Sequence, residues 1–100
     1  MRMLMNVILP LEPFNTYVRD GSAGEKIGKI METVKPEAAY FTEHDGCRGA
    51  VLVVDVADPS CIPALSEPWF LLFEASCEFR IAMTADDLKK SNLSALGKQW

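Results

Sequence analysis

The chain is poor in the residues that bind metals or form disulfides. It has three cysteines, Cys47, Cys61 and Cys77, and a single histidine, His44. An odd number of cysteines with no CxxC pair indicates neither a disulfide framework nor a zinc site. The acidic residues on either side of His44 point to the opposite face of a strand, so they do not complete a metal site with it. We therefore expect no metal or cofactor, and reduced thiols in a cytoplasmic protein.

Clustered positive charge and long apolar runs are also missing. Fourteen acidic residues outnumber ten basic ones, the formal net charge is -4, and Lys89-Lys90 is the only basic pair. Nucleic acids and anionic membranes attract clustered lysine and arginine, so neither is expected as a partner. The apolar run 3–9 is interrupted by Asn6 and ended by Pro10, which argues against a signal peptide. No stretch is long enough to span a bilayer.

The composition indicates one folded domain over residues 1–100. Hydrophobic residues make up 49% of the chain and charged residues 24%, as in globular proteins. A chain of this length buries a limited fraction of its surface, and dimerisation is a common way to enlarge the core. We therefore expect a single domain that forms a homodimer.

Apolar spacing and turn residues predict a mixed set of strands and helices. Pro68 is expected to end one helix early, and the residues after Lys90 are expected to form a tail. Residues 14–24 are left open between a helix and a flap, because Gly21 and Gly24 permit either. The predicted elements are a strand at 3–9, a helix at 22–34 with a Ser22–Glu25 capping box, a strand at 37–44, a hairpin connection at 45–49, a strand at 50–56, a short helix from Asp58, a turn or short helix at 69–73, a strand at 77–83 and a helix at 85–90.

The order of these elements predicts the fold class. Strand, helix, strand, strand, helix and strand in succession, plus a C-terminal helix, is the ferredoxin-like βαββαβ plan within the α+β class. In that plan an antiparallel four-stranded sheet carries its helices on one face. We expect the spatial strand order 4-1-3-2.

Alternation along the strands separates two faces of the sheet. The wholly apolar face is expected to pack under the helices and comprises Met5, Val7, Ala39, Phe41, Leu52, Val54, Val56, Phe79, Ile81 and Met83. The mixed face comprises Leu4, Asn6, Ile8, Tyr40, Thr42, His44, Val51, Val53, Asp55, Glu78, Arg80 and Ala82. An uncovered mixed face would expose an apolar patch. We therefore expect two sheets to pack face to face as a dimeric α/β barrel.

Four short segments carry a resemblance to a known family. They are KPEAAYF at 35–41, VVDVADPS at 53–60, EPWF at 67–70 and the MT..DL pattern at 83–88. The glycine-containing hairpin between the first two segments also belongs to the pattern. Over roughly residues 19–100 the chain resembles a family of short, uncharacterised bacterial proteins. The resemblance implies a dimeric α/β barrel and supplies no established catalytic residue. The wider group of dimeric barrels includes monooxygenases, isomerases, cyclases and haem enzymes, so the fold alone selects no reaction.

The mixed face supplies the candidate binding residues. Arg80 and Glu78 lie two apart on one strand and so point to the same side. Either they form an ion pair, or Arg80 binds an anionic small molecule. In the second case the rest of the polar lining is expected from Asn6, Tyr40, Thr42, Glu78 and Asp55. The aromatic residues Trp69, Phe70 and Phe73 are expected in the core or in the dimer contact rather than in a pocket.

Two functions follow as hypotheses. The first is a dimer that binds a small organic molecule, with an anion as one option, in a cavity beside the sheet. The second is a cofactor-independent enzyme, similar to the monooxygenases, isomerases or cyclases, that acts on a small organic acid or aromatic substrate. In the enzyme, His44 or Tyr40 would transfer protons and Arg80 would hold the anion. Alternatively, His44 is a solvated residue at a strand end and Cys47 an ordinary exposed thiol.

Overall fold

The computed structural model describes all residues from 1 to 100, which form one four-stranded sheet and five α-helices. The helices lie before, between and after the strands, and none has the length and hydropathy needed to cross a membrane. The elements are β1 Arg2–Leu9, α1 Leu11–Asp20, α2 Ala23–Val34, β2 Ala38–His44, β3 Cys47–Asp55, a 3-10 turn Pro59–Cys61, α3 Ile62–Phe73, β4 Ser76–Ile81, α4 Ala85–Lys90 and α5 Leu93–Gln99.

The sheet is antiparallel throughout, in the order β2-β3-β1-β4. This confirms the α+β class and the four-stranded antiparallel sheet, and the strand order is the expected 4-1-3-2. The central strands β1 and β3 pair over the whole length of β1, from Arg2 opposite Asp55 to Leu9 opposite Arg48. Strands β3 and β1 therefore form the centre of the sheet, and β2 and β4 form its two edges.

The helix predicted at 22–34 is confirmed as α2, and residues 14–24 form the end of α1 and the start of α2, separated by a turn at Gly21 and Ser22. α1 ends at Asp20, and Gly21 follows in the left-handed region at φ 82°, which glycine adopts at little cost. The predicted capping box of α2 does not form. Instead the Ser22 hydroxyl accepts a hydrogen bond from the Lys26 ammonium at 3.0 Å.

The predicted hairpin is confirmed, but its connection is shorter than expected. Asp45 and Gly46 alone form the turn, with φ values of 49° and 80°. Positive φ at both central residues is the type I′ geometry, for which Asp-Gly is a favoured pair. Cys47 and Gly49 therefore belong to β3, where Gly49 lies opposite Thr42. The expectation that residues 45–49 form the connection was wrong.

The core lies between the helices and the apolar face of the sheet. Met5, Val7, Leu52 and Val54 of the strands, and Val56 directly after β3, are buried, as predicted. The prediction was wrong for three members of that face, Phe41, Ile81 and Met83, which are more than half exposed. Phe41 and Ile81 lie on the two edge strands and Met83 follows β4, so the helices that cover the centre do not reach them.

An aromatic cluster fills the centre of this core. Phe73 is fully buried and lies against three rings: Phe14 at 5.1 Å, Tyr17 at 5.6 Å and Trp69 at 6.0 Å between centroids. Trp69 is also fully buried, whereas Phe70 faces solvent in part. Trp69 and Phe73 therefore act in packing, as expected from the sequence.

Helix α3 runs through Pro68 without interruption, which corrects the prediction of two short segments. A proline inside a helix removes one backbone hydrogen bond and costs about 3 kcal/mol. Here the bond would have gone to the carbonyl group of Ala64, which is an exposed residue. Burying Trp69 and Phe73 on the far side of the proline offsets this cost, because each large side chain contributes about 2–3 kcal/mol.

Residues 84–100, hereafter the arm, extend away from the rest of the chain. The predicted helix at 85–90 is confirmed as α4, and Thr84 and Asp87 form its capping box. The expected tail is instead helix α5, capped by the Asn92 side chain. Every residue from Met83 to Trp100 is exposed. The radius of gyration is 16.8 Å, against about 13 Å for a compact chain of this length, because the arm lengthens the molecule to 60 Å.

Candidate functional site

The candidate site lies on the sheet face that carries no helix, hereafter the open face. The strand register sets its side chains in rows that cross all four strands. One row is Thr42, Gly49, Ile8 and Ser76, the next is Tyr40, Val51, Asn6 and Glu78, and the third is Ala38, Val53, Leu4 and Arg80. Polar groups thus occupy most edge positions and apolar ones most central positions, with Ala38 and Asn6 as the exceptions.

Gly49 gives the open face its depression. It lies within β3, beside Ile8 and Thr42, and supplies no side chain to its row. A β-carbon at this position would lie 3.1 Å from the carbonyl oxygen of Val7 and 3.7 Å from the β-carbon of His44. The glycine therefore keeps the floor low and lets two strands approach closely. This role of Gly49 was not predicted, because the sequence pattern placed Gly49 in the hairpin connection.

The depression is an open groove with a volume of about 740 Å³. The structure brings together five of the predicted polar residues along it, namely Asn6, Thr42, His44, Glu78 and Arg80. Glu43 and Ser76 also line it and were not singled out from the sequence. Ser76 pairs with Ile8 of the mixed face, so the strand register was needed to find it. Glu43 lies between Thr42 and His44, and alternation had assigned it to the opposite face.

Two predicted residues, Tyr40 and Asp55, do not line the groove. Tyr40 extends from the edge strand β2 and is 67% exposed. Asp55 lies in the row of Arg2, at the far end of the sheet, where the Met1 amine donates to it at 3.0 Å. Alternation placed both on the correct face, but their positions along the sheet depend on the register.

Arg80 is the only arginine or lysine that lines the groove. Its Nε atom is 3.7 Å from Glu78 Oε1, too far for a hydrogen bond, and the two side chains are 60% and 69% exposed. An exposed pair of this kind contributes about 0–1 kcal/mol. The guanidinium group therefore keeps its hydrogen-bond donors available to a ligand, and the predicted ion pair is a loose one.

His44 lies at the rim of the groove. Its Nε2 atom is 3.3 Å from Asp45 Oδ2, and its side chain is 56% exposed. A proton-transfer site needs two features. One is a group such as an imidazole beside a carboxylate, and the other is a pocket that encloses the substrate. The groove of a single chain is open to solvent, so it does not supply that enclosure.

Arg48, which follows the hairpin turn, faces away from the groove. Arg48 donates to Asn15 Oδ1 at 2.8 Å, and its guanidinium carbon lies 4.4 Å from the centroid of the Phe14 ring. Arg48 therefore fastens β3 to helix α1 rather than activating the neighbouring Cys47. No group of three His, Cys, Asp or Glu side chains comes together in the chain as a set of metal ligands.

Cys77 is the thiol whose ionisation the fold alters. It is half-buried against the core, and this burial raises the pKa of its thiol to about 11. At pH 8, three units lower, only about one such thiol in a thousand is ionised. Since the thiolate is the reactive form, Cys77 is a packing residue under ordinary conditions.

We therefore expect iodoacetamide to alkylate Cys77 slowly in a Cys47→Ser, Cys61→Ser chain. The rate should rise about tenfold for each pH unit between pH 8 and 10, because thiolate is still a small fraction there. Mass spectrometry of quenched samples gives the rate, and the same chain in denaturant is the control. A rate that levels off near pH 8.5 would contradict the raised pKa.

The chain matches no protein-family model, and no curated protein shows significant similarity to it. The resemblance described from the sequence therefore stays a prediction. The roles of the groove residues rest on the geometry given above.

Proposed function

We propose that two copies of this chain pair through their open faces and enclose the groove as a cavity for a small organic anion. In this arrangement each chain is a ferredoxin-like domain and the pair is a dimeric α/β barrel. The two grooves, which are open in separate chains, would then be shielded from water. The family that the chain resembles is expected to form the same dimeric barrel.

The apolar residues of the open face support the pairing. Leu4, Ile8, Val51 and Val53 lie on the two central strands and are only half-buried in a single chain. Covering apolar surface contributes about 25 cal/mol per Å². A second open face has the same pattern of apolar centre and polar edges, so a two-fold pairing would bring like surfaces together. Such a pairing leaves the polar edge residues at the rim.

Arg80 is the residue from which we infer that the ligand is an anion. It is the one permanent positive charge on the groove wall, and Glu78 satisfies it poorly. A carboxylate that binds two guanidinium N–H groups is held more strongly and with better geometry than a loose surface pair. Asn6 and Thr42 line the same groove and offer neutral donors and acceptors that can orient the rest of the ligand.

A second candidate is a cofactor-independent enzyme, similar to monooxygenases, isomerases or cyclases, in which the same cavity converts a small organic acid or aromatic substrate. The observation in its favour is that His44, beside Asp45, lines the same groove as Arg80. In such an enzyme a His44→Gln chain would keep ligand affinity and lose turnover. If the original chain bound the ligand without converting it, the binding function proposed first would be supported and the enzyme would be excluded.

The chain is also proposed to work in the cytoplasm. Its three cysteines are all free, and in oxidising compartments thiols of small proteins are usually paired.

The ligand proposal predicts that Arg80→Gln weakens the binding of small carboxylates by about 10- to 100-fold. A charge-assisted hydrogen bond contributes about 1.5–3 kcal/mol, and each 1.4 kcal/mol is a factor of ten. A thermal-shift screen with small carboxylates such as benzoate and succinate would identify a binding probe, and calorimetry would give its affinity.

Arg19→Gln is the matched control for this measurement. Arg19 is an exposed arginine on helix α1, away from the groove, and it pairs with Glu12 at 3.4 Å. Its replacement removes the same charge and should leave the affinity unchanged. Equal losses in the two variants would show a general charge effect and would remove Arg80 from the binding site.

A further inference from the structure

The arm presents an apolar stripe with nothing to cover it. Leu93, Leu96 and Trp100 follow the spacing i, i+3, i+7, so they lie on one side of helix α5. Their exposed fractions are 58%, 44% and 95%, and Leu88 of helix α4 is 44% exposed. Neither helix of the arm has a buried residue. Helices this short are marginal in water without tertiary packing.

Helix α3 presents a second uncovered surface, on the side opposite the core. Phe70 and Leu71 are exposed there, Leu71 at 78%. Glu67 and Glu74 lie one turn before and one turn after them and are also exposed. Helix α3 contains no basic residue. The result is an apolar centre between two carboxylates, hereafter the α3 patch.

The charges of the two surfaces are opposite. Three of the ten basic side chains, Lys89, Lys90 and Lys98, lie in residues 88–100, and none of the fourteen acidic ones does. Residues 1–87 thus carry seven basic and all fourteen acidic side chains. The arm also contains Asp86 and Asp87 in the first turn of α4, so only its remainder, residues 88–100, is basic. This basic end is attracted to the acidic α3 patch, and the charges orient the approach of the two surfaces.

We propose that the arm of one copy docks on the α3 patch of a second copy. Leucine and tryptophan side chains of the arm cover Phe70 and Leu71, while its lysines approach Glu67 and Glu74. A second copy is the occupant that the structure favours, because the arm extends away from the chain that carries it. The two complementary surfaces are present on every copy, so docking is reciprocal when two chains exchange arms.

This contact goes beyond the proposed function and does not depend on it. Asp87, near the start of the arm, lies beside Arg2 and Asp55 at one end of the open face. No residue of the arm or of the α3 patch lines the groove. The arm is short, and its contact falls below the roughly 800 Å² per partner of a standard interface. Alone it gives a weak association that is populated at high protein concentration.

A photo-crosslinking experiment on the full chain tests the docking. Leu96 is replaced by benzoylphenylalanine, and equal amounts of ordinary and ¹⁵N-labelled protein are mixed at high micromolar concentration and irradiated. Mass spectrometry then identifies the linked peptides. We expect links between one light and one heavy chain that map to residues 63–74. Links within a single chain, links to any other surface, or no links would overturn the proposal.

Charge reversal supplies a second readout that leaves the fold intact, because the altered residues are exposed. Glu67→Lys with Glu74→Lys should lower the yield of these links about fivefold or more, since two attractive contacts become repulsive. Adding Lys89→Glu and Lys90→Glu should restore part of the yield. Unchanged yields in all variants would contradict the charge pairing. Loss of the open-face pairing alone would leave the mapped links in place, so the two proposals fail separately.

Discussion

A Val53→Glu chain should run as a monomer of 11.1 kDa at low micromolar concentration, and the original chain is expected to run at twice that mass. Val53 lies on the central strand β3, in the row of Leu4 and Arg80, and its side chain is half-buried in a single chain. In a pair of open faces it would be covered by the second sheet. Burying an unpaired carboxylate costs several kcal/mol, and a two-fold pair would bury it twice.

Thr33→Glu is the control for this prediction. Thr33 is exposed near the end of helix α2, and the substitution adds the same charge on the side of the sheet that carries the helices. Light scattering coupled to size-exclusion chromatography gives the mass of each variant. The control should keep the mass of the original chain. A Val53→Glu chain that also keeps twice 11.1 kDa would show that the pairing does not use the open face.

A Phe73→Ala chain should lose about 3–5 kcal/mol of its free energy of unfolding. Phe73 is fully buried and touches three other aromatic rings, so its removal leaves a cavity and breaks the centre of the cluster. Domains of this size are stable by about 5–15 kcal/mol in total. The variant therefore loses a large share of its stability, and urea unfolding followed by circular dichroism measures it.

Phe41→Ala is the matched control for Phe73→Ala. It removes the same side chain from the edge strand β2, where Phe41 is 54% exposed. Its cost should be about 1 kcal/mol or less, because little apolar surface is lost from the core. Equal costs for the two variants would show that the aromatic cluster is not the centre of the core.

The fold was largely predictable because period-two alternation and turn chemistry are local signals. Met5 and Leu52 follow the alternation and are buried as expected, and Asp45-Gly46 marks the hairpin. Helix α3 was not predictable in the same way. Pro68 is a strong local signal for an end, and only the tertiary burial of Trp69 and Phe73 overrides it.

The sequence pattern predicted which face of the sheet carries the candidate site, but not where along the strands the site lies. Alternation selected Asn6, Thr42 and Arg80, which do line one groove. It also selected Tyr40 and Asp55, which the register places outside. Gly49 was missed because a glycine gives no periodic signal. Its importance comes from the strand beside it, 3.1 Å from where its β-carbon would lie.

The arm shows a different limit of sequence reasoning. Thr84 and Asp87 predicted helix α4 through its capping box, and the structure confirms it. Residues 93–99 gave no comparable signal, because Ser94 and Gly97 weaken a short helix. The structure nevertheless forms α5 and leaves its apolar stripe exposed, which is information that only the three-dimensional placement provides.

The solvent accessibility of the Val51 and Val53 methyl groups tests the open-face pairing most directly. NMR relaxation by a soluble gadolinium chelate reports it methyl by methyl, and it separates this pairing from any contact made by the arm. The account predicts that both valines are protected as well as the buried Val54, while the exposed Leu11 is strongly relaxed. Relaxation of Val51 and Val53 comparable to that of Leu11 would contradict the pairing and the enclosed cavity that follows from it.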